Sequence, residues 1–196
     1  MALLDWISDA GGPLVEGEGV ILRSPRASDH EAWAKLRQES YTYLQPWEPI
    51  WPEDDLTRAA FKRRLSIYQR ELEVGNAWPF FIFADHGRTL IGAVTLSNVR
   101  RGVAETGTVG YWIGRRFAGH GHATAAVRAM VAFAFNELKL HRVEAACVPH
   151  NAASRRVLEK AGFEHEGLAR AYLKINGAWA DHLLFGRVND GAGRAG

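Results

Sequence analysis

The sequence predicts a mixed α/β domain, and three observations point to it. The hydrophobic period switches repeatedly between about 2 and about 3.6 residues along the chain. Asp85-His86-Gly87 and Asn176-Gly177 each separate two strand-like runs with a hairpin signal. Other strand-like runs are separated by helical stretches, as parallel pairing requires. Antiparallel and parallel pairs are therefore both expected.

The elements follow in order. Val20, Ile21 and Leu22 make a short strand ending near Pro25. Ser28 with Glu31 three residues later reads as a capping box, opening a helix that buries Trp33 and Leu36. An aromatic, Pro-rich loop covers residues 41–52. A second helix carries Phe61, Leu65, Tyr68 and Leu72 on one face. Residues 80–84 and 90–97 form the first hairpin, Gly102 marks a turn, and residues 108–113 form a further strand. After Gly114, Gly119 and Gly121, a long helix presents Ala123, Val127, Met130, Val131, Ala134, Phe135 and Leu138 as one apolar stripe. Residues 141–148 read as a strand, and residues 151–161 as a helix stopped by Gly162. Residues 171–175 and 179–188 form a last hairpin.

Composition narrows the function. At 196 residues, 47% hydrophobic and 23% charged, the chain suits one globular domain with a real core. Residues 1–17 read as an N-terminal arm, 18–188 as the domain and 189–196 as a polar tail that frays. With 24 Lys+Arg against 22 Asp+Glu, the net charge of +2 gives no bulk attraction to nucleic acid or membrane. A single cysteine, Cys147, forms no internal disulfide and no multi-thiolate metal site. The longest apolar stretch, residues 123–138, is interrupted by Arg128 and Asn136 and is no membrane span. The start lacks a basic region and carries Asp5 and Asp9, against a secretory signal, so a soluble cytoplasmic protein is expected.

Two segments carry chemistry. In the first, Arg116-Phe117-Ala118-Gly119-His120-Gly121-His122-Ala123 joins a strand to a long helix. The first helical turn leaves backbone N–H groups unpaired, the helix dipole adds partial positive charge, and glycines let an anion approach. A diphosphate cradle and a plain Gly-rich turn both fit. Nucleotide hydrolysis does not, because His122-Ala123-Thr124 stands where a phosphate-binding loop of that type needs Gly-Lys-Ser/Thr. In the second, Asn151 and Ser154 open a helix closed by Gly162. They fit either a cap or a ligand-facing pair. His120 and His122 lie two apart without a Cys or carboxylate pair at ligand spacing, so no metal site is expected among the eight histidines.

Taken together, strand, Arg116-x-x-Gly119-x-Gly121, helix, strand, Asn151-x-x-Ser154, helix and Gly162-Phe163 resemble the GNAT superfamily of acyl-CoA N-acyltransferases. Further stretches are similar to its RimJ-type ribosomal-protein-alanine N-acetyltransferases. These are Tyr43-Leu44-Gln45-Pro46-Trp47-Glu48-Pro49, Leu96-Ser97-Asn98-Val99-Arg100-Arg101-Gly102, Pro149-His150-Asn151, and Tyr172-Leu173-Lys174-Ile175-Asn176-Gly177-Ala178-Trp179 with Asp181-His182. The resemblance implies a central twisted mixed sheet of about six or seven strands flanked by about four helices, with two central strands splayed to admit pantetheine. It implies acetyl-CoA as co-substrate and direct attack of an amine on the thioester. The acceptor it implies is a protein or peptide N-terminus, a ribosomal protein included. It leaves monomer and homodimer open.

On that resemblance, the amides of Gly119, His120, Gly121, His122 and Ala123, with Arg116 nearby, hold the diphosphate. Backbone N–H groups near Trp112 and Ile113 polarise the thioester oxygen. Asn151 binds pantetheine or a water, and Ser154 donates to the leaving sulfur. Many relatives place a Tyr acid where this chain has Leu158, which leaves Ser154, with Tyr172 as substitute. Many have a Glu where this chain has Thr108, which leaves Glu105 and Glu48 as carboxylates able to act through water, and His182 as either base or packed residue. The amine itself reduces the need for a base. An α-amine of pKa about 7.8 is about 14% neutral at pH 7, while a lysine is about 0.04% neutral. Arg115, Arg116, Arg155 and Arg156 are solvated or reach the coenzyme's 3′-phosphate.

Glu48, Glu53, Asp54 and Asp55 stand among Tyr41, Tyr43, Trp47 and Trp51. They read either as an acidic aromatic wall for a cationic peptide terminus or as helix caps beside core aromatics. The competing functions are the same chemistry on a small amine or antibiotic, and a non-catalytic acyl-CoA-binding module.

Overall fold

The computed structural model describes residues 12–189 and 191. Its strands are β1 (Leu14–Gly17), β2 (Val20–Arg23), β3 (Trp78–Ala84), β4 (Thr89–Arg100), β5 (Thr106–Ile113), β6 (Arg142–Cys147), β7 (Glu164–Ile175) and β8 (Ala178–Val188). Its α-helices are α1 (His30–Glu39), α2 (Tyr41–Leu44), α3 (Arg58–Glu73), α4 (His122–Asn136) and α5 (Ala152–Lys160). The strands form one mixed sheet ordered β1-β2-β3-β4-β5-β6-β8-β7.

Every residue of β3 is buried, because helices cover both sheet faces. Side chains alternate along a strand. Phe80 and Ile82 therefore join the core under α4, while Phe81 and Phe83 join Trp33, Leu36 and Phe61 under α1 and α3. Each such side chain contributes about 1.5–3 kcal/mol on burial. The predicted apolar stripe of α4 lies on the first face, with Val127, Met130, Val131 and Ala134 fully enclosed. Helix α5 packs beside α4 and β6.

One junction positions the site. Strands β5 and β6 pair in parallel through Thr106↔Arg142, Gly107↔Val143 and Thr108↔Glu144. Beyond these, residues 109–113 bond only toward β4 and residues 145–147 only toward β8. The sheet thus opens in a wedge at the C-terminal ends of its two central strands, as the resemblance implied.

The structure corrects several details. Residues 14–17 belong to the sheet rather than to an arm, since β1 pairs along its length with β2; this supplies a strand beyond the six or seven expected. Leu3, Leu4, Trp6 and Ile7 lie outside the described residues. Asp29, not the Ser28/Glu31 pair, caps the entry to α1: its carboxylate accepts from the Arg26 N–H at 2.7 Å and is forked by Arg23 at 2.7 and 2.8 Å. The aromatic loop contains α2 and a 3-10 turn at Gln45–Trp47. Asp54 and Asp55 do not cap α3. Thr57 does, accepting from Ala60 N at 3.1 Å, while the two aspartates pair with Arg63 and Arg64. The Asn176-Gly177 turn has both residues at positive φ, as a two-residue hairpin requires.

Candidate active site

The site is built where β5 hands over to α4. After Ile113 the chain makes a 3-10 turn at Arg115–Phe117, then enters the glycine bend. Gly119 and Gly121 lie at φ +82° and +84°, and a Cβ at either would stand in open space. Gly121 is the N-cap of α4, and its carbonyl accepts from Ala125 N at 3.0 Å. The amides of His122, Ala123 and Thr124 precede that bond and have no place in the helix ladder. Free amides at a helix start, approached past two positions without a Cβ, fit a diphosphate. The rings of His120 and His122 stack at 6.1 Å, and Arg116 reaches Glu39 at 4.0 Å while lying over Phe117. Arg155 and Arg156 are exposed on α5.

Across the wedge, Asn151 caps α5 by accepting from Ser154 N at 3.0 Å. Asn151 thus takes the capping role, while Ser154 Oγ points back to β5. It lies 2.9 Å from the Tyr111 hydroxyl, which is also 3.2 Å from the Ser154 carbonyl oxygen. Tyr111 was not among the residues the motifs singled out. Its signal was the alternation of β5: Val109, Tyr111 and Ile113 share a face, and a buried phenol on an apolar face needs a polar partner.

Alternation also decides which amides face the wedge. Gly114 N donates to Ile91 O at 2.9 Å, so the β5 amides at even positions turn toward β4. The N–H groups of Tyr111 and Ile113 face the opening. That of Trp112, expected there as well, does not; its indole instead walls the opposite face.

On that opposite face runs a groove of about 420 Å³, lined by Arg37, Glu48, Trp51, Asp55, Tyr111 and Trp112 among others. Arg37 is buried, donates to Glu48 at 2.9 Å, lies 3.9 Å from Asp55, and stands over the rings of Trp51 at 3.8 Å and Trp112 at 5.0 Å. The second Glu48 oxygen accepts from the Trp51 indole at 2.7 Å. Asn176 N donates to Glu48 O at 2.8 Å, tying the β7–β8 hairpin tip to this wall. Of the acidic aromatic segment, Glu48, Asp55 and Trp51 reach the groove; Glu53 and Asp54 do not line it.

The remaining expected residues fall elsewhere. Glu105 is exposed beyond the closed end of the β5–β6 pair, where its carbonyl accepts from His141 and Arg142 amides. Along the strand it lies about 20 Å from Tyr111. Tyr172 is half exposed and rests edge-on against the buried His182 ring, whose Nδ1 lies 2.9 Å from Ala180 O. Neither is brought to the Tyr111–Ser154 pair by any bond described. Among the described residues, no three His, Cys, Asp or Glu side chains cluster as metal ligands, and no helix is long and apolar enough to cross a membrane.

Burial pushes the Tyr111 phenol well above its ordinary 10.0, against the opposing pull of the Ser154 hydrogen bond. Burial likewise pushes the Cys147 thiol above its ordinary 9.0, again opposed by a hydrogen bond from Ser154. Both groups stay protonated in the folded chain after the unfolded chain has lost those protons. Their stabilisation is fully present below the unfolded values and is lost as pH rises past them. Urea-unfolding midpoints are expected to hold to about pH 9 and decline above it, with a flatter decline in a Tyr111→Phe/Cys147→Ala variant.

The sequence profile of the acetyltransferase (GNAT) domain matches residues 20–164. The chain belongs to the GNAT acetyltransferase family. Its GNAT relatives include a Bacillus subtilis (strain 168) protein named "Probable N-acetyltransferase YjcK", 38% identical over 176 residues, covering 90% of this chain and 97% of that one. The ribosomal protein uS5-alanine N-acetyltransferase of Escherichia coli (strain K12) is 34% identical over 158 residues, 80% of this chain and 81% of its own. Among solved GNAT structures, Mycobacterium smegmatis RimJ in complex with CoA-disulfide superposes with a TM-score of 0.84 at 34% identity, covering 95% of this chain and 90% of that one. The GNAT enzyme described here is accordingly an acetyl-CoA-dependent acetyltransferase. The glycine bend has the chemistry to hold the coenzyme's diphosphate: amides outside the helix ladder at a helix start, with no Cβ at Gly119 or Gly121.

Proposed function

We propose that this enzyme transfers the acetyl group of acetyl-CoA to the N-terminal α-amine of a protein, of the ribosomal-protein-alanine type. The observation that carries the reading is the groove on the face opposite α4. It is lined by Tyr111 among others, whose hydroxyl reaches Ser154 Oγ at 2.9 Å, and its two lining carboxylates, Glu48 and Asp55, are each ion-paired to an arginine. No histidine is among its described lining residues. A site so furnished suits an amine with a sizeable neutral fraction at pH 7, as an α-amine has and a lysine lacks. The similarity to the E. coli uS5-alanine enzyme supports the same class of acceptor.

In the reaction, acetyl-CoA enters the wedge from the α4 side and the amine comes from the groove side. The amine nitrogen attacks the thioester carbon, and the amides of Tyr111 and Ile113 face the developing oxyanion. The C–S bond then breaks. The nitrogen has lost one proton and the sulfur has gained one, with Ser154 donating to the sulfur as it leaves.

The test offers peptides with free and blocked N-termini, each carrying an internal lysine, together with acetyl-CoA and a panel of small amines. Mass spectrometry is expected to place one acetyl group on the free α-amine and none on the blocked peptides. Small amines outcompeting every peptide in kcat/KM, or acetyl-lysine on blocked peptides, would overturn the assignment.

A further inference from the structure

Tyr111 is the only described residue shown both to line the acceptor groove and to hydrogen-bond Ser154 across the wedge. Its hydroxyl has one hydrogen and two acceptors in reach, Ser154 Oγ at 2.9 Å and Ser154 O at 3.2 Å. The choice between them sets where the serine hydrogen points. If the phenol donates to the carbonyl, its oxygen is left to accept the Ser154 hydrogen, which then points away from the coenzyme. If the phenol donates to Oγ, the Ser154 hydrogen is free to swing to another acceptor. The carbonyl lies in the first turn of α5 and already takes part in the helix ladder, so Oγ is the less committed partner.

We propose that Tyr111 is a positioning residue: by donating to Ser154 Oγ it turns the serine hydrogen toward the departing coenzyme A sulfur. The proposal rests on the transferase reading above. The proton balance is closed without the phenol ionising. C–N forms, C–S breaks, the amine nitrogen gives up one proton to solvent, Ser154 passes its hydrogen to the sulfur and regains one from solvent, and Tyr111 keeps its own. Burial holds Tyr111 protonated, which suits a fixed donor and not a proton source. The same pair also fastens α5 to β5 beyond the last β5–β6 backbone bond, holding the wedge at a fixed width.

The test compares wild type, Tyr111→Phe, Ser154→Ala and the double variant with acetyl-CoA and with acetyl-selenocoenzyme A, whose selenolate leaves without needing a proton. Tyr111→Phe is expected to lower kcat with the thioester by about 10-fold while KM for acetyl-CoA stays within about twofold. The double variant is expected to be no slower than Ser154→Ala alone, because the two groups act as one unit. With the selenoester the losses shrink to within about threefold. Multiplicative losses in the double variant, an unchanged kcat in Tyr111→Phe, or equal losses with both donors would overturn the proposal. Calorimetric binding of coenzyme A to each variant reports an intact fold. A wild-type enzyme that acetylates no amine with either donor would instead remove the transferase reading. Enzyme carrying 3-fluorotyrosine at position 111, equal in shape and a better donor, is expected to match or exceed wild type; a tenfold loss there would also overturn the positioning role.

Discussion

Replacing Gly121 by alanine is expected to raise the dissociation constant for coenzyme A by about 100-fold, close to 2.8 kcal/mol. Two effects add. Gly121 sits at φ +84°, where an L side chain costs about 1–2 kcal/mol. The added methyl also projects where a diphosphate approaches the amides of His122 and Ala123. Nothing lies within 4 Å of that methyl in the free protein, so no clash adds to the backbone cost. Gly19→Ala is the control. Gly19 has φ +71° and equally open surroundings, but it lies in the β1–β2 turn. It is expected to show the backbone cost in thermal unfolding with unchanged coenzyme binding. Isothermal titration of the two variants separates the cradle from the turn.

The second large effect concerns stability. Arg37→Met is expected to destabilise the fold by about 3 kcal/mol, because it leaves the Glu48 and Asp55 carboxylates short of their buried counter-charge. Only about a tenth of the Arg37 and Asp55 side chains is exposed, and about a fifth of Glu48. For a chain of this size the melting temperature should fall by about 6–12 °C. Methionine preserves most of the packing between Trp51 and Trp112, so the loss isolates the charge. Arg37→Lys is expected to rescue little, since a lysine reproduces neither the fork to two carboxylates nor the flat stack on two indoles. Adding Glu48→Gln to Arg37→Met should return part of the loss by removing one stranded charge. Because these residues wall the groove and not the cradle, KM for the acceptor should rise while coenzyme affinity holds. Differential scanning calorimetry and steady-state kinetics check the two halves.

What the sequence made legible follows local rules. The glycine bend, the Asn151 cap, the two hairpin turns and the stripe of α4 each obey a constraint confined to a few neighbouring residues, and the structure has all of them. What was not legible depends on which strand lies beside which. Arg37 is not singled out by any motif in the sequence. It becomes the centre of a groove only because α1 lies over β4 and the 48–55 segment folds back upon it. Tyr111 read as one more strand residue until the wedge brought α5 within 2.9 Å. Glu105 stood as a candidate carboxylate because Thr108 fills the position where many relatives have a Glu, yet it lies about 20 Å along the strand from the Tyr111–Ser154 pair. Asp29 displaced Ser28 as cap because Arg23, on the neighbouring strand, fixes its carboxylate.

The most direct measurement is a crystal structure of the enzyme with coenzyme A bound. The diphosphate is expected against the amides of residues 119–123, the pantetheine arm between the diverging halves of β5 and β6, and the sulfur within hydrogen-bonding distance of Ser154 Oγ. A nucleotide lodged away from the glycine bend, or a sulfur on the far side of β5 from Ser154, would contradict that placement.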